Sequence, residues 1–284
     1  MVTTRPALSP ETASDTLQEL WVFPIAPEVC NLACTHCLYA ASPQRKNSYR
    51  LTEDDLTDLF TQLAALGATP HLLFTGGEPT LHPALYDFFE QAERRGYTFQ
   101  LHTNGTRIHA EEAARLARLP HLKKVQVSLE GPTPALHDQV MGAGLYQRTL
   151  RAIDELRSRD VPVTIAVTPM ESNQEGFTEI EQLAREKGAE LVRILLYDLG
   201  AATANGLKPA TTVPPQRGKD MILMCDKGVA YSEGQYFPCP ILVKDPESIL
   251  GTSVRDAISP AARERVREIK SRKSECAVCL KGST

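Results

Sequence analysis

The seven cysteines of this 284-residue chain fall into two sets that leave none over. Cys30, Cys34 and Cys37 sit together in Cys30-Asn-Leu-Ala-Cys34-Thr-His-Cys37, and Cys225, Cys239, Cys276 and Cys279 occupy the last quarter. Three thiols at the first spacing let one loop wrap a corner of a small iron-sulfur cluster. Three ligands cannot saturate four irons, so one iron would stay open to an exchangeable ligand. A zinc site built on the same trio lacks its fourth ligand, because His36 is adjacent to Cys37 and reaches the same ion only with difficulty. The C-terminal four could saturate either a four-iron cluster or a zinc ion, and their spacing does not choose. An odd cysteine count argues against a disulfide framework and favours metal binding in a reducing compartment.

The elements that must position these thiols follow from hydrophobic periodicity. A Pro- and Thr-rich arm over residues 1–20 precedes a short apolar strand from Trp21 to Ala26, which delivers the chain to Cys30. Thr52 then caps a helix whose Leu56, Leu59, Phe60, Leu63 and Leu66 recur at helical spacing up to Gly67. The alternation continues with strands at His71–Phe74, Tyr97–His102, Lys124–Leu129, Val161–Val167 and Glu190–Leu196. The intervening helices are expected at Pro83–Arg95, His109–Arg118, Tyr146–Ser158 and Phe177–Lys187. Long crossovers between apolar strands imply a parallel sheet covered by helices, and six βα units are too few to close. Residues 200–220, rich in Ala, Thr, Pro and Gly, read as a linker. Residues 221–284 hold a hairpin, Val229–Tyr231 against Gln235–Phe237, and a charged helix at Pro260–Arg272.

Further motifs stand at successive strand ends: Thr75-Gly76-Gly77-Glu78-Pro79 after the second, Thr103-Asn104-Gly105 after the third, Ser128-Leu129-Glu130-Gly131 after the fourth. Singly each could be a turn. Together with the cysteine trio they resemble the radical S-adenosylmethionine (SAM) superfamily, whose Cys, three residues, Cys, two residues, Cys signature is matched in full. The resemblance implies an α/β fold, a partial (β/α)6 TIM-like barrel over residues 21–199, with one [4Fe-4S] cluster on Cys30, Cys34 and Cys37. It implies that the backbone of Gly76, Gly77, Glu78 and Pro79 holds the methionine amino group of SAM. Thr103, Asn104, Ser128 and Glu130 then contact its ribose and carboxylate, and His36 lies against adenine unless it is a solvent-facing loop residue. The C-terminal cysteines resemble the short twitch form of the SPASM/twitch extension, which implies a second, auxiliary [4Fe-4S] cluster on Cys225, Cys239, Cys276 and Cys279.

Related proteins often carry His-Asp, two residues, Arg-Gly, whereas His137-Asp138-Gln139-Val140-Met141-Gly142 puts Met141 at the arginine position. Arg193 is the expected substitute, and Arg193, Tyr197 and Asp198 near the sixth strand end are candidate catalytic or substrate contacts; for Asp198 the reading as half of an ordinary buried ion pair comes first. With every cysteine spent as a ligand, none is left to donate a hydrogen atom. The implied chemistry is SAM cleavage with electrons from a flavodoxin- or ferredoxin-type donor, then oxidative crosslinking or dehydrogenation of a ribosomally made peptide. Alternatives are dehydrogenation of a small alcohol or aminocyclitol, or a zinc-stabilised binding module. The leader before Trp21 is short for a fused peptide-recognition domain. A net charge of -4 and a pI near 6.0 give no field suited to nucleic acid. No apolar run reaches the roughly 20 residues of a membrane helix and no signal peptide is visible, so a cytoplasmic protein is expected.

Overall fold

A computed structural model describes residues 17–213 and 224–282. Residues 1–16 of the expected arm, 214–220 of the expected linker, and 221–223 and 283–284 lie outside them. One eight-stranded sheet organises the chain, in the order β6-β5-β4-β3-β2-β1-β7-β8. Its strands are β1 Glu19–Val22, β2 His71–Phe74, β3 Phe99–Thr103, β4 Leu122–Ser128, β5 Val163–Val167, β6 Glu190–Arg193, β7 Gly228–Ser232 and β8 Gln235–Phe237. Strands β1 to β6 are parallel neighbours in chain order, the outcome of a helix crossing over between each pair. The fold is the partial, TIM-like βα barrel that the alternation predicts.

The covering helices are α1 Glu53–Ala65, α2 Leu85–Arg94, α3 Ala110–Leu116, α4 Pro134–Met141, α5 Tyr146–Arg157 and α6 Phe177–Glu186. All but α4 contribute buried residues to one core shared with the strands, and α4 instead buries Val140 and Met141 under the cysteine loop. Leu56, Leu59, Phe60 and Leu63 of α1, Phe88 and Phe89 of α2 and Ile153 and Leu156 of α5 share one core with Leu20, Val22, Phe74, Phe99, Leu101, Val125 and Ile165. Burial of such side chains is worth about 2 kcal/mol each, an upper-end figure because the unfolded chain already hides part of this surface. Thr52 caps α1 through a reciprocal pair with Asp55, as its sequence position requires. Helix α4 is an addition that the periodicity missed: eight residues started by Thr133 and Pro134.

The opposite strand face is partly polar. His71, Gln100 and His102 form a hydrogen-bonded run across β2 and β3, as the period-two alternation of a strand allows. The expected hairpin is present as β7 and β8, and β7 lies parallel to β1 in register Glu19↔Gly228 to Val22↔Tyr231. Gly228 makes that approach possible, since a Cβ there would lie 1.6 Å from the Glu19 carbonyl oxygen. Short helices complete the C-terminal part: α7 Gly200–Ala204, α8 Met224–Lys227, α9 Val254–Ala257, α10 Pro260–Arg272 and α11 Ser274–Gly282. Helix α7 stands at the start of the stretch read as linker.

Candidate metal and SAM site

The loop after β1 carries Cys30, Cys34 and Cys37 over an apolar bed of Leu32, Ala41, Val140, Met141, Leu145 and Met170. Burial pushes the Cys30 thiol up to about 12, and the charges of Glu78 and Cys37 add to the rise. Cys34 is raised too, by burial first and then by Cys30, Cys37 and Glu130. Three thiolates so placed are costly unless a cation shares the space. Backbone N–H groups of Leu32 and Ala41 point at the sulfurs of Cys30 and Cys37, at 3.3 and 3.4 Å. Sulfur-rich, desolvated and ringed by N–H donors, this donor set fits an iron-sulfur cluster.

Hydrogen bonds join the cysteine loop to the other motifs in series. The Glu78 N–H donates to the Val29 carbonyl at 3.1 Å, which ties Gly76-Gly77-Glu78-Pro79 to the entry of the loop. Gly77 is there because a Cβ would sit 1.8 Å from that same Val29 oxygen. The Glu78 carboxylate, with no exposed surface, accepts from the Thr80 N–H and hydroxyl, from the Thr103 hydroxyl at 2.7 Å and from the Asn104 N–H at 2.8 Å. Burial holds this carboxyl above its ordinary value against those donors, which favour the ionised form. The Asn104 side chain then donates to the Asn31 Oδ1 at 3.0 Å and accepts from Thr106, and Asn31 donates back to the Thr106 hydroxyl. Asn104 thus fixes the residue that follows Cys30. Asn31 and Thr106 were missed in the sequence, where a polar loop residue carries no distinguishing signal.

Ser128 ends β4, paired with Ala166 of β5, and Glu130 follows it into the interior. Glu130 accepts from the Thr168 N–H at 2.8 Å, and the Glu130 carbonyl accepts from the Asn173 side chain at 2.9 Å. Its Oε1 lies 3.4 Å from the His36 Nε2. The distance is that of an ion pair, while burial works against the charged form of each group, pushing Glu130 up to about 8 and His36 down to about 4. The His36 Nδ1 is buried without a partner in this structure. His36 is therefore turned inward against Glu130, which removes the reading of a solvent-facing loop histidine.

The residues of the departing motif do structural work. His137 Nδ1 accepts from the Glu130 N–H, and Asp138 accepts from the N–H groups of Gly144 and Tyr146. Met141 is 4% exposed and packs under the cysteine loop. Arg193, expected as a substitute for the missing arginine, is engaged elsewhere: it pairs with Glu181 of α6 at 2.8 Å and lies over the Phe177 ring. Asp198 is exposed, so it is not half of a buried ion pair. Tyr197 is buried, with its hydroxyl 3.1 Å from the Cys279 sulfur.

The second thiol set also converges. Cys225 on α8, Cys239 after β8, and Cys276 and Cys279 on one face of α11 line a single recess with Met224, Ile241 and Leu242. Burial raises Cys239 and pushes Cys276 up to about 11, with neighbouring thiols adding to both. Lys270, paired with Asp226, hydrogen-bonds Cys225 and offsets part of its rise. Among the described residues no three His, Cys, Asp or Glu side chains converge tightly enough for one metal ion. A zinc ion would draw its thiolates to about 2.3 Å from one point. Four thiols lining one recess can serve a four-iron cluster, which gives each thiolate its own iron, or a single ion after they draw together. Tyr39, two residues past Cys37, links the two sets by donating to the Pro240 carbonyl at 2.6 Å. The Ala201 N–H donates to the Cys37 carbonyl at 2.9 Å, which ties α7 to the first set. Among the described residues no helix is long and apolar enough to cross a membrane.

Comparison with known proteins agrees with this geometry. The chain is 34% identical over 161 residues to the AdoMet-dependent heme synthase of Methanosarcina barkeri, covering 56% of this chain and 45% of that protein. It is 31% identical over 175 residues to the mycofactocin maturase MftC of Mycobacterium tuberculosis, covering 61% and 44%. Against the PqqA peptide cyclase of Streptomyces rochei it is 31% identical over 179 residues, covering 61% and 49%. The matches thus span about half the length of these relatives. In fold it resembles anSMEcpe with bound AdoMet and Cp18Cys peptide, with a TM-score of 0.68 at 18% identity over 91% of this chain and 85% of that one. It also resembles Streptococcus suis SuiB bound to its precursor peptide SuiA, with a TM-score of 0.70 at 14% identity over 93% and 70%. The profile of the Radical SAM superfamily matches residues 25–184, which contain the cysteine trio and all three partner motifs. The chain belongs to the radical SAM superfamily.

Proposed function

We propose that this chain reductively cleaves SAM and oxidatively modifies a ribosomally made peptide, by crosslinking or dehydrogenation. Residues 21–199 form its SAM-binding unit and residues 221–284 its auxiliary-cluster unit. The observation that carries the reading is the run of hydrogen bonds joining the cysteine loop to the Glu78 and Asn104 motifs, with His36 of the same loop 3.4 Å from Glu130. A SAM molecule on a three-cysteine four-iron cluster supplies a deoxyadenosyl radical able to remove hydrogen from an unactivated C–H bond. Cys30, Cys34 and Cys37 hold that cluster, and the tight turn at Gly76 and Gly77 offers backbone to the SAM amine. Glu78 fixes this turn against Thr103 and Asn104, so the contacts are set before SAM arrives. His36 and Glu130 close the adenosine end and exclude water.

The second thiol recess supports an auxiliary [4Fe-4S] cluster as electron acceptor, and a flavodoxin- or ferredoxin-type protein as donor. Relatives that include a PqqA peptide cyclase, together with the fold shared with a SuiA-bound protein, support a peptide as substrate. A relative named as a heme synthase keeps a non-peptide substrate as the second reading.

The test is anaerobic reconstitution with SAM and dithionite, reading deoxyadenosine, iron per chain and the mass of a candidate precursor peptide. Cys34→Ala is expected to abolish deoxyadenosine. Cys276→Ala is expected to keep SAM cleavage and lose the peptide product. Normal product from Cys276→Ala refutes the electron-acceptor role, and zinc without iron refutes the whole reading.

A further inference from the structure

Tyr197 faces the auxiliary thiols. The chain leaves β6 at Arg193 and buries Tyr197 to 6% exposure. Its hydroxyl lies 3.1 Å from the Cys279 sulfur, with Cys239 and Cys276 also near it. Between a phenol and a thiol either atom can donate. Once Cys279 is a deprotonated metal ligand, only the hydroxyl has a proton to give, and a phenol keeps that proton at neutral pH. A donor aimed at a ligating sulfur stabilises negative charge there. Reduction adds an electron to the ligated group, so the bond favours the reduced form. The bond also crosses from the βα barrel to α11, 82 residues away in the chain.

We propose that Tyr197 is a positioning residue of the auxiliary site: its hydroxyl hydrogen-bonds the Cys279 thiolate and raises the reduction potential of the cluster held by the four C-terminal cysteines. The inference rests on the auxiliary-cluster reading of those cysteines, and the experiment separates the two. Iron is confined to the C-terminal site by combining Cys30→Ala, Cys34→Ala and Cys37→Ala in the full chain. That chain is reconstituted anaerobically with and without Tyr197→Phe. Both are expected to hold about four irons. Redox titration is expected to place the Tyr197→Phe cluster lower, by about tenfold in the one-electron equilibrium, or 59 mV. Pulsed EPR of the reduced cluster in D2O is expected to detect an exchangeable deuteron near the cluster that disappears in Tyr197→Phe, a signal that a purely packing role would not move. An unchanged potential with the deuteron retained overturns the proposal. Loss of iron confined to Tyr197→Phe overturns it as well, by making the residue a scaffold for the site. No iron in the triple-alanine parent overturns the auxiliary-cluster reading, and the proposal with it, before Tyr197 is touched.

Discussion

Glu78 shows how much of the site is carried by a group that need never touch a substrate. One carboxylate, fully buried, receives donors from Thr80, Thr103 and Asn104, and so holds two loops in one arrangement. Glu78→Gln keeps the volume but replaces one oxygen with an NH2 that meets a backbone N–H in either orientation, that of Thr80 or that of Asn104. A buried donor left unsatisfied costs about 2 kcal/mol, more where the lost acceptor was charged. The expected outcome is a lower melting temperature by that equivalent and weaker SAM binding in calorimetry, with the iron of the C-terminal set retained. Wild-type affinity in Glu78→Gln would mean that the loops hold their shape without this anchor.

At the scale of elements, the contact between β1 and β7 decides whether the second thiol set stays in register with the first. Glu19 pairs with Gly228 through backbone alone, and a Cβ at that glycine would overlap the Glu19 carbonyl oxygen. Gly228→Ala must therefore push the strands apart, at about 3 kcal/mol for an overpacked backbone contact. Hydrogen exchange is expected to speed up in β7 and β8 before β2 to β5, and iron to be lost from the C-terminal site first. Uniform exchange across the sheet would count against an independent role for this contact. The six βα units were legible in the sequence because strands β2 to β6 are apolar runs bounded by helices with clear stripes. The motif glycines and cysteines were legible because their types admit few readings. The parallel docking of β7 on β1 was not, since a hairpin carries no mark of the edge it will join. Helix α11 was missed because its Cys276 and Cys279 face a thiol recess and give no apolar stripe, and the contact of Tyr197 with Cys279 was not legible because position at a strand end does not fix the direction of a side chain.

For the whole molecule, buried titratable groups set a pH optimum that can be worked out by sign. Burial pushes His36, His102 and His137 from 6.5 down to about 4, and lowers His71 and His82 as well. The unfolded chain binds protons at these imidazoles that the native chain refuses, so stability falls as pH drops below 6.5. Burial acts in the opposite sense on Glu130, raised from 4.5 to about 8, and on Glu78, also raised. The native form of Glu130 holds a proton that the unfolded chain releases, so this group costs stability as pH rises from 4.5 towards 8, and Glu78 acts in the same direction. Between 4.5 and 6.5 the three imidazoles shifted to about 4 oppose Glu130, and acidification destabilises on balance. Above 6.5 the imidazoles no longer contribute and Glu130 still does. The metal-free chain is therefore expected to melt highest near pH 6.5. A tenfold change in the proton affinity of one group is worth at most about 1.4 kcal/mol, less where water or a partner relaxes the penalty. Calorimetry from pH 4.5 to 8 is expected to show a shallower acid limb in His102→Gln and a flatter alkaline limb in Glu130→Gln. A Glu130→Gln profile that still falls between pH 6.5 and 8 as in the wild type would mean that Glu130 is ionised in the native state. Its contact with His36 would then be the ion pair that the burial of both groups argues against.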